Sequence, residues 1–170
     1  MFLMNTTQLQ SYYDQTPTAR RMALVSIGLV IMVCSLSLSA VNIAVPRIAD
    51  DLQMGANAVS WIPVAMLWGN VVFLLPMGRM ADIVGRKRMF ITGIALFAMA
   101  SLAILLPQTI KSVLVIRVVQ GISSSMIYGT SMALIGVIYA NSNRGQALGI
   151  GASTVYFGLT VGPLVGGWLT

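Results

Sequence analysis

The 170-residue sequence contains no histidine and a single cysteine, Cys34. One thiol cannot close an internal disulfide. Without imidazole, the usual zinc sites and the Cys/His and Ser/His catalytic sets are excluded within this chain. Charge is also scarce, at 8% of residues against roughly 25% in a soluble domain. So few charges cannot cover a water-facing surface. With 57% hydrophobic residues and a mean hydropathy of +0.86, the composition reads as a polytopic membrane protein. Acid is scarcest of all. Asp14, Asp50, Asp51 and Asp82 are the whole supply, and each lies outside the long apolar runs.

Nucleotide-binding motifs are missing too. Gly149-Ile150-Gly151 has no βαβ unit around it and is not a dinucleotide fingerprint, and there is no G-x-x-x-x-G-K-[ST] loop. No nucleophile, base and metal set converges, so no enzyme is expected and no cofactor is called for. The net charge of +6 would suggest nucleic acid in a soluble protein. Here the basic residues sit between apolar runs, where they act as topology determinants, and no nucleic-acid partner is expected.

What is present is a series of apolar runs. They predict an all-α, polytopic bundle with spans at about 22–45, 58–77, 89–107, 112–137 and 147–169, after a tail over 1–21. Each run is long enough to cross about 30 Å of hydrocarbon at 1.5 Å per residue, and only helices satisfy their own backbone there. Arg20-Arg21 and Ser37-Leu38-Ser39-Ala40 imitate an export signal with its cleavage site. The run continues past Ala40, however, and a signal's apolar region is only about 7–15 residues. The first span is therefore read as retained.

Arg20, Arg21, Arg79, Arg86, Lys87, Arg88 and Arg144 fall on one side of the spans, with Arg47 and Lys111 on the other. This puts the N-terminus and the 78–88 link in the cytosol of a cell-membrane protein, with the C-terminus outside. The sequence stops at Thr170, at the end of the fifth span. The expectation is an incomplete transporter that lacks a C-terminal half or partner subunit.

The link Gly78–Arg88 carries four basic residues and one acid, Asp82, between two apolar runs. A tight basic hairpin is the simplest reading, with Gly78 and Gly85 permitting the turn. Topology needs no acid among those bases. Asp82 can pair with Arg86 or cap the positive end of a helix, a contact worth roughly 0.3–1 kcal/mol when exposed.

In the fourth run Arg117, Gln120, Gly121, Ser124, Tyr128 and Ser131 share one helical face. Two readings stand: a helix lining a water-filled path, or a snorkelling arginine beside a polar helix contact. Ser35, Ser39 and Asn42 share a face of the first span and could contact substrate or a neighbouring helix. Gly158, Gly162 and Gly166, with Pro163 and Gly167, make a side-chain-free stripe on a helix able to bend, suited to close packing.

Together these stretches resemble the major facilitator superfamily of secondary transporters. Gly78, Asp82, Gly85, Arg86, Lys87 and Arg88 are similar to its loop motif after span 2, and Arg117, Gln120 and Gly121 to its span 4 motif. The span 5 glycines with Pro163 resemble the motif of the drug–proton antiporters. Val41-Asn42-Ile43-Ala44-Val45-Pro46 resembles the end of span 1 in the fourteen-span branch.

The resemblance implies a facilitator-type N-terminal half that exports drugs or small solutes by alternating access, with protons as coupling ion. It implies that Asp82 steadies the outward-facing state against the C-terminal half. Arg117 would serve proton coupling, and the glycine stripe would pack against the other half. Ser37 departs from the branch, which commonly has aspartate there. A specific metabolite transporter of the same fold, or a non-transporting truncated protein or assembly partner, are the alternatives.

Overall fold

The computed structural model describes residues 13, 15–51, 56–104 and 109–169, with 41–51, 56–59 and 169 described by their backbone alone. The elements are α1 (Pro17–Asp51), α2 (Ala56–Val84), α3 (Arg86–Ala103), α4 (Ile110–Ile138) and α5 (Arg144–Leu169), and no strand occurs among the described residues. The fold is the expected all-α bundle. Four of the helices are long and apolar enough to cross a membrane. The remaining helix, α3, opens with Arg86-Lys87-Arg88 before its apolar stretch, and the end of the predicted third span at 107 lies outside the described residues.

α4 is the centre of the bundle. Its apolar window is 67% buried against 17% for α5, and it touches every other helix. Thr109 starts it with a capping box, its side chain accepting from the Ser112 backbone while Ser112 accepts from that of Thr109. Small residues set its packing. Against α2, an added Cβ on Gly121 would stand 2.2 Å from the Met66 carbonyl and 2.9 Å from Gly69 Cα, so the two backbones touch. Against α3, the corresponding atom on Gly93 would meet Met126 Cβ at 3.0 Å. Such close approach is how membrane helices gain dispersion energy where lipid is as apolar as leucine.

α1 and α5 form a second tight pair. Large apolar side chains such as Trp61, Val71 and Leu75 on α2 and Tyr156, Leu164 and Trp168 on α5 point outward, as a lipid-facing surface requires.

The 78–88 link is not a hairpin loop. α2 continues through Gly78 to Val84, Gly85 alone leaves helical geometry, and Arg86 already begins α3. Packing explains the extension: Ala81 is buried with Met89 of α3 and Met126 of α4, which holds this last part of α2 in register. Gly78 lies in mid-helix with open space at its Cβ position, so it makes no turn.

Gly85 does make the turn. Its φ of 106° belongs to a region that side chains with a Cβ rarely enter. Gly85→Ala meets no neighbour within 4 Å, so its penalty is purely conformational, about 2 kcal/mol. The melting temperature in detergent should fall by roughly 4–8 °C. An unchanged melting temperature would show that the turn relaxes at no cost.

Candidate functional site

Where the two tight helix pairs face one another, the bundle leaves a cavity of about 150 Å³. α1 contributes Ser35 and Leu38, α2 Met66, Leu67 and Asn70, α4 Ser124 and Tyr128, and α5 Val155 and Leu159. No charged side chain lines it among the described residues. Two hydrogen bonds cross its walls. Tyr128 Oη lies 2.9 Å from Ser35 Oγ, joining α4 to α1, and Asn70 Nδ2 donates to Ser124 Oγ at 2.7 Å, joining α2 to α4.

The polar stripe of α4 therefore divides. Ser124 and Tyr128 reach the cavity, but Arg117 and Gln120 turn towards α3. Arg117 is 4% exposed, and its Nη1 donates to Gln120 Oε1 at 2.9 Å. Gln120 Nε2 in turn donates to Ser101 Oγ of α3 at 3.1 Å, and Ser101 donates to the Phe97 carbonyl. Arg117 Nε is buried without a partner among the described residues. A guanidinium placed this deep normally meets an anion or a cavity, and no carboxylate belongs to any of the apolar runs.

Other hydroxyls of α4 serve packing. Ser131 of the stripe donates back to a carbonyl one turn earlier on α4, as do Thr130, Ser123 and Ser125 outside it. This satisfies them without reference to a ligand. Gly121 belongs to the α2 contact.

In α1, Ser35 lines the cavity, whereas Ser39 donates to the Leu159 carbonyl of α5 at 2.9 Å and so joins helices. The side chain of Asn42 lies outside the described residues.

The α5 glycines also divide. Added Cβ atoms on Gly158, Gly162 and Gly166 would stand 2.7 Å from the Met32 carbonyl, 2.5 Å from Ser39 Cβ and 2.8 Å from the Ala40 carbonyl. That stripe is thus filled by α1 of the same bundle, not left open for another half as the resemblance implied. Pro163 and Gly167 are exposed on a different face of α5, and Gly167 has open space beside it.

At the α2–α3 turn Arg86 pairs with Asp82, Nη2 to Oδ1 at 3.0 Å and Nε to Oδ1 at 3.1 Å. Of the two roles open to Asp82, the structure shows the ion pair. α3 has no side-chain cap. Lys87 and Arg88 are exposed.

Sequence reasoning passed over Asn70. Its signal was nonetheless there, as the one amide in the apolar run 58–77. Ser101, Leu38, Met66, Leu67, Val155 and Leu159 carry no chemical signal of their own and become site residues through helix packing alone.

Set beside known proteins, residues 27–170 match the model of the Major Facilitator Superfamily. The chain belongs to the major facilitator superfamily. This facilitator chain is 29% identical over 149 residues, 87% of its length, to the multidrug resistance protein Stp of Mycobacterium tuberculosis. It is 30% identical over 146 residues, 86% of its length, to the tetracenomycin C resistance and export protein of Streptomyces glaucescens. It is also 25% identical over 144 residues, 85% of its length, to the riboflavin transporter RibZ of Clostridioides difficile. It spans 28%, 27% and 32% of those three proteins, respectively. Membership of the facilitator family, with its apolar helices, makes this a multi-pass membrane protein.

Proposed function

We propose that this facilitator bundle is the N-terminal part of a proton-coupled exporter of drugs or similar small solutes. The observation that carries the reading is the uncharged cavity between α1, α2, α4 and α5, in a chain whose relatives are named for multidrug resistance and export. Alternating access needs two bundles rocking about a site near the mid-plane, so a C-terminal half completes the transporter. The bundle sits in the cell membrane with its N-terminus and the α2–α3 turn in the cytosol, following the excess of basic residues there.

Cells expressing the transporter that contains these residues should resist several unrelated toxic compounds and extrude an uncharged dye such as Nile red, and a protonophore should stop the extrusion. Resistance to none of them, with transport of a single metabolite, would favour the second reading. That reading is a specific metabolite transporter, which the similarity to RibZ supports. A cysteine at Arg86 should react with a membrane-impermeant maleimide only after the cell is opened. Reaction in intact cells would reverse the orientation.

In this reading Asp82 acts as a latch that opens in each cycle. Its ion pair is largely exposed and contributes at most about 1 kcal/mol. Asp82→Asn should therefore leave insertion and melting temperature nearly unchanged while slowing transport several-fold. An unchanged transport rate would remove the latch role.

A further inference from the structure

The hydrogen-bonding capacity of the cavity can be followed proton by proton. Ser35 gives its hydroxyl proton to the Ile31 carbonyl at 2.9 Å, so in the contact with Tyr128 the phenol is the donor. Ser124 gives its proton to the Gly121 carbonyl at 2.9 Å and so accepts from Asn70 Nδ2. The Asn70 amide is thus oriented with Nδ2 towards Ser124. Among the described residues, Asn70 then keeps Oδ1 and its second Nδ2 proton unused.

Asn70 thus presents an acceptor and a donor side by side at the edge of an otherwise apolar space. The volume of about 150 Å³ suits one ring of benzene size. Electrostatics select against positive charge. No carboxylate lines the cavity among the described residues. Arg117 lies two turns below Ser124 on α4, about 10 Å along the axis, and forms no salt bridge among the described residues. At that distance and an effective dielectric near 20, its repulsion weakens a cationic ligand about tenfold.

We propose that Asn70 is the specificity-determining residue of this cavity, which takes an uncharged ring bearing adjacent hydrogen-bond donor and acceptor, as in a lactam or imide. The inference deepens the export reading and rests on it. Leaving the amide unpaired in a site shaped around it is the penalty that excludes other ligands.

Three single-ring probes separate the terms: 2-pyridone, a lactam; N-methyl-2-pyridone, which lacks the donor; and N-methylpyridinium, a cation. Their affinities are measured on the purified transporter containing this chain. The lactam should bind at least tenfold more tightly than either of the others. Asn70→Leu should reduce the preference over the N-methyl lactam to under twofold. Asn70→Asp supplies the missing carboxylate, keeps the side-chain shape, and should raise affinity for the cation at least tenfold; it carries the test should the leucine variant fail to fold.

Equal binding of lactam and cation by the native transporter overturns the inference. So does a lactam preference that survives Asn70→Leu, or an Asn70→Asp variant that gains nothing for the cation. Vesicles of the same transporter tested for drug export separate the two readings. Export without an Asn70-dependent lactam preference overturns the inference and leaves the export reading standing. Absence of any export overturns both.

Discussion

Gly121→Ala is expected to lower the melting temperature of the chain in detergent by roughly 6–12 °C, the largest stability loss for a single added methyl in this bundle. The new Cβ would stand 2.2 Å from the Met66 carbonyl, 2.9 Å from the Asn70 nitrogen and 2.9 Å from Gly69 Cα. All three are backbone atoms, so no rotamer change relieves the contact, and α2 must move away from α4. Overpacking of this kind costs about 1–3 kcal/mol, and a backbone contact belongs at the upper end. Asn70 and Ser124 flank the crossing, so their 2.7 Å hydrogen bond should break as well. Gly78→Ala is the control. It lies on the same α2 with nothing within 4 Å, and the helical preference of alanine should leave stability unchanged or slightly raised. Equal melting temperatures for the two variants would mean that the α2–α4 crossing is looser than described.

Arg117→Leu is expected to abolish proton-driven transport, by at least tenfold in vesicles carrying a pH gradient, while the protein stays folded. The reasoning turns on which group is left behind. Removing the guanidinium removes a buried cation together with its unpartnered Nε and leaves behind only the neutral Gln120 Oε1 without its donor, a smaller penalty than an unpaired charge. Gln120→Leu does the opposite. It strips Arg117 Nη1 of its 2.9 Å acceptor and leaves the cation in place. A lost hydrogen bond to a charged group costs about 1.5–3 kcal/mol, so this variant should melt roughly 5–10 °C lower. The order of stabilities, with Arg117→Leu above Gln120→Leu, tests the burial argument by melting alone. Retention of gradient-driven transport by Arg117→Leu would reduce Arg117 to a structural residue and remove it from the coupling step.

The fate of the α4 stripe shows how far one sequence can be read. Helical spacing put Arg117, Gln120, Ser124 and Tyr128 within one broad face. A face on a central helix has more than one neighbour, however, and spacing does not say which. Arg117 and Gln120 meet α3 through Ser101, while Tyr128 meets α1 through Ser35. The 78–88 stretch taught the complementary lesson. Its charges marked the end of the apolar run, but a helix does not end where lipid ends. The burial of Ala81 against Met89 and Met126, far apart in sequence, carried α2 on to Val84. Asn70 stayed unnoticed because its partner, Ser124, is 54 residues away.

By itself the sequence determined the class and the strand-free bundle, because a chain this poor in charge needs lipid around it, and lipid leaves the backbone no partner but its own helix. It also marked the family through short motifs whose order along the chain survives folding unchanged. Only the tertiary structure decided which glycines are already filled by α1, where Arg117 points, and that Asn70 faces the cavity. Each of those facts is a distance between helices, and such distances follow from the packing of whole helix faces rather than from any local run of residues.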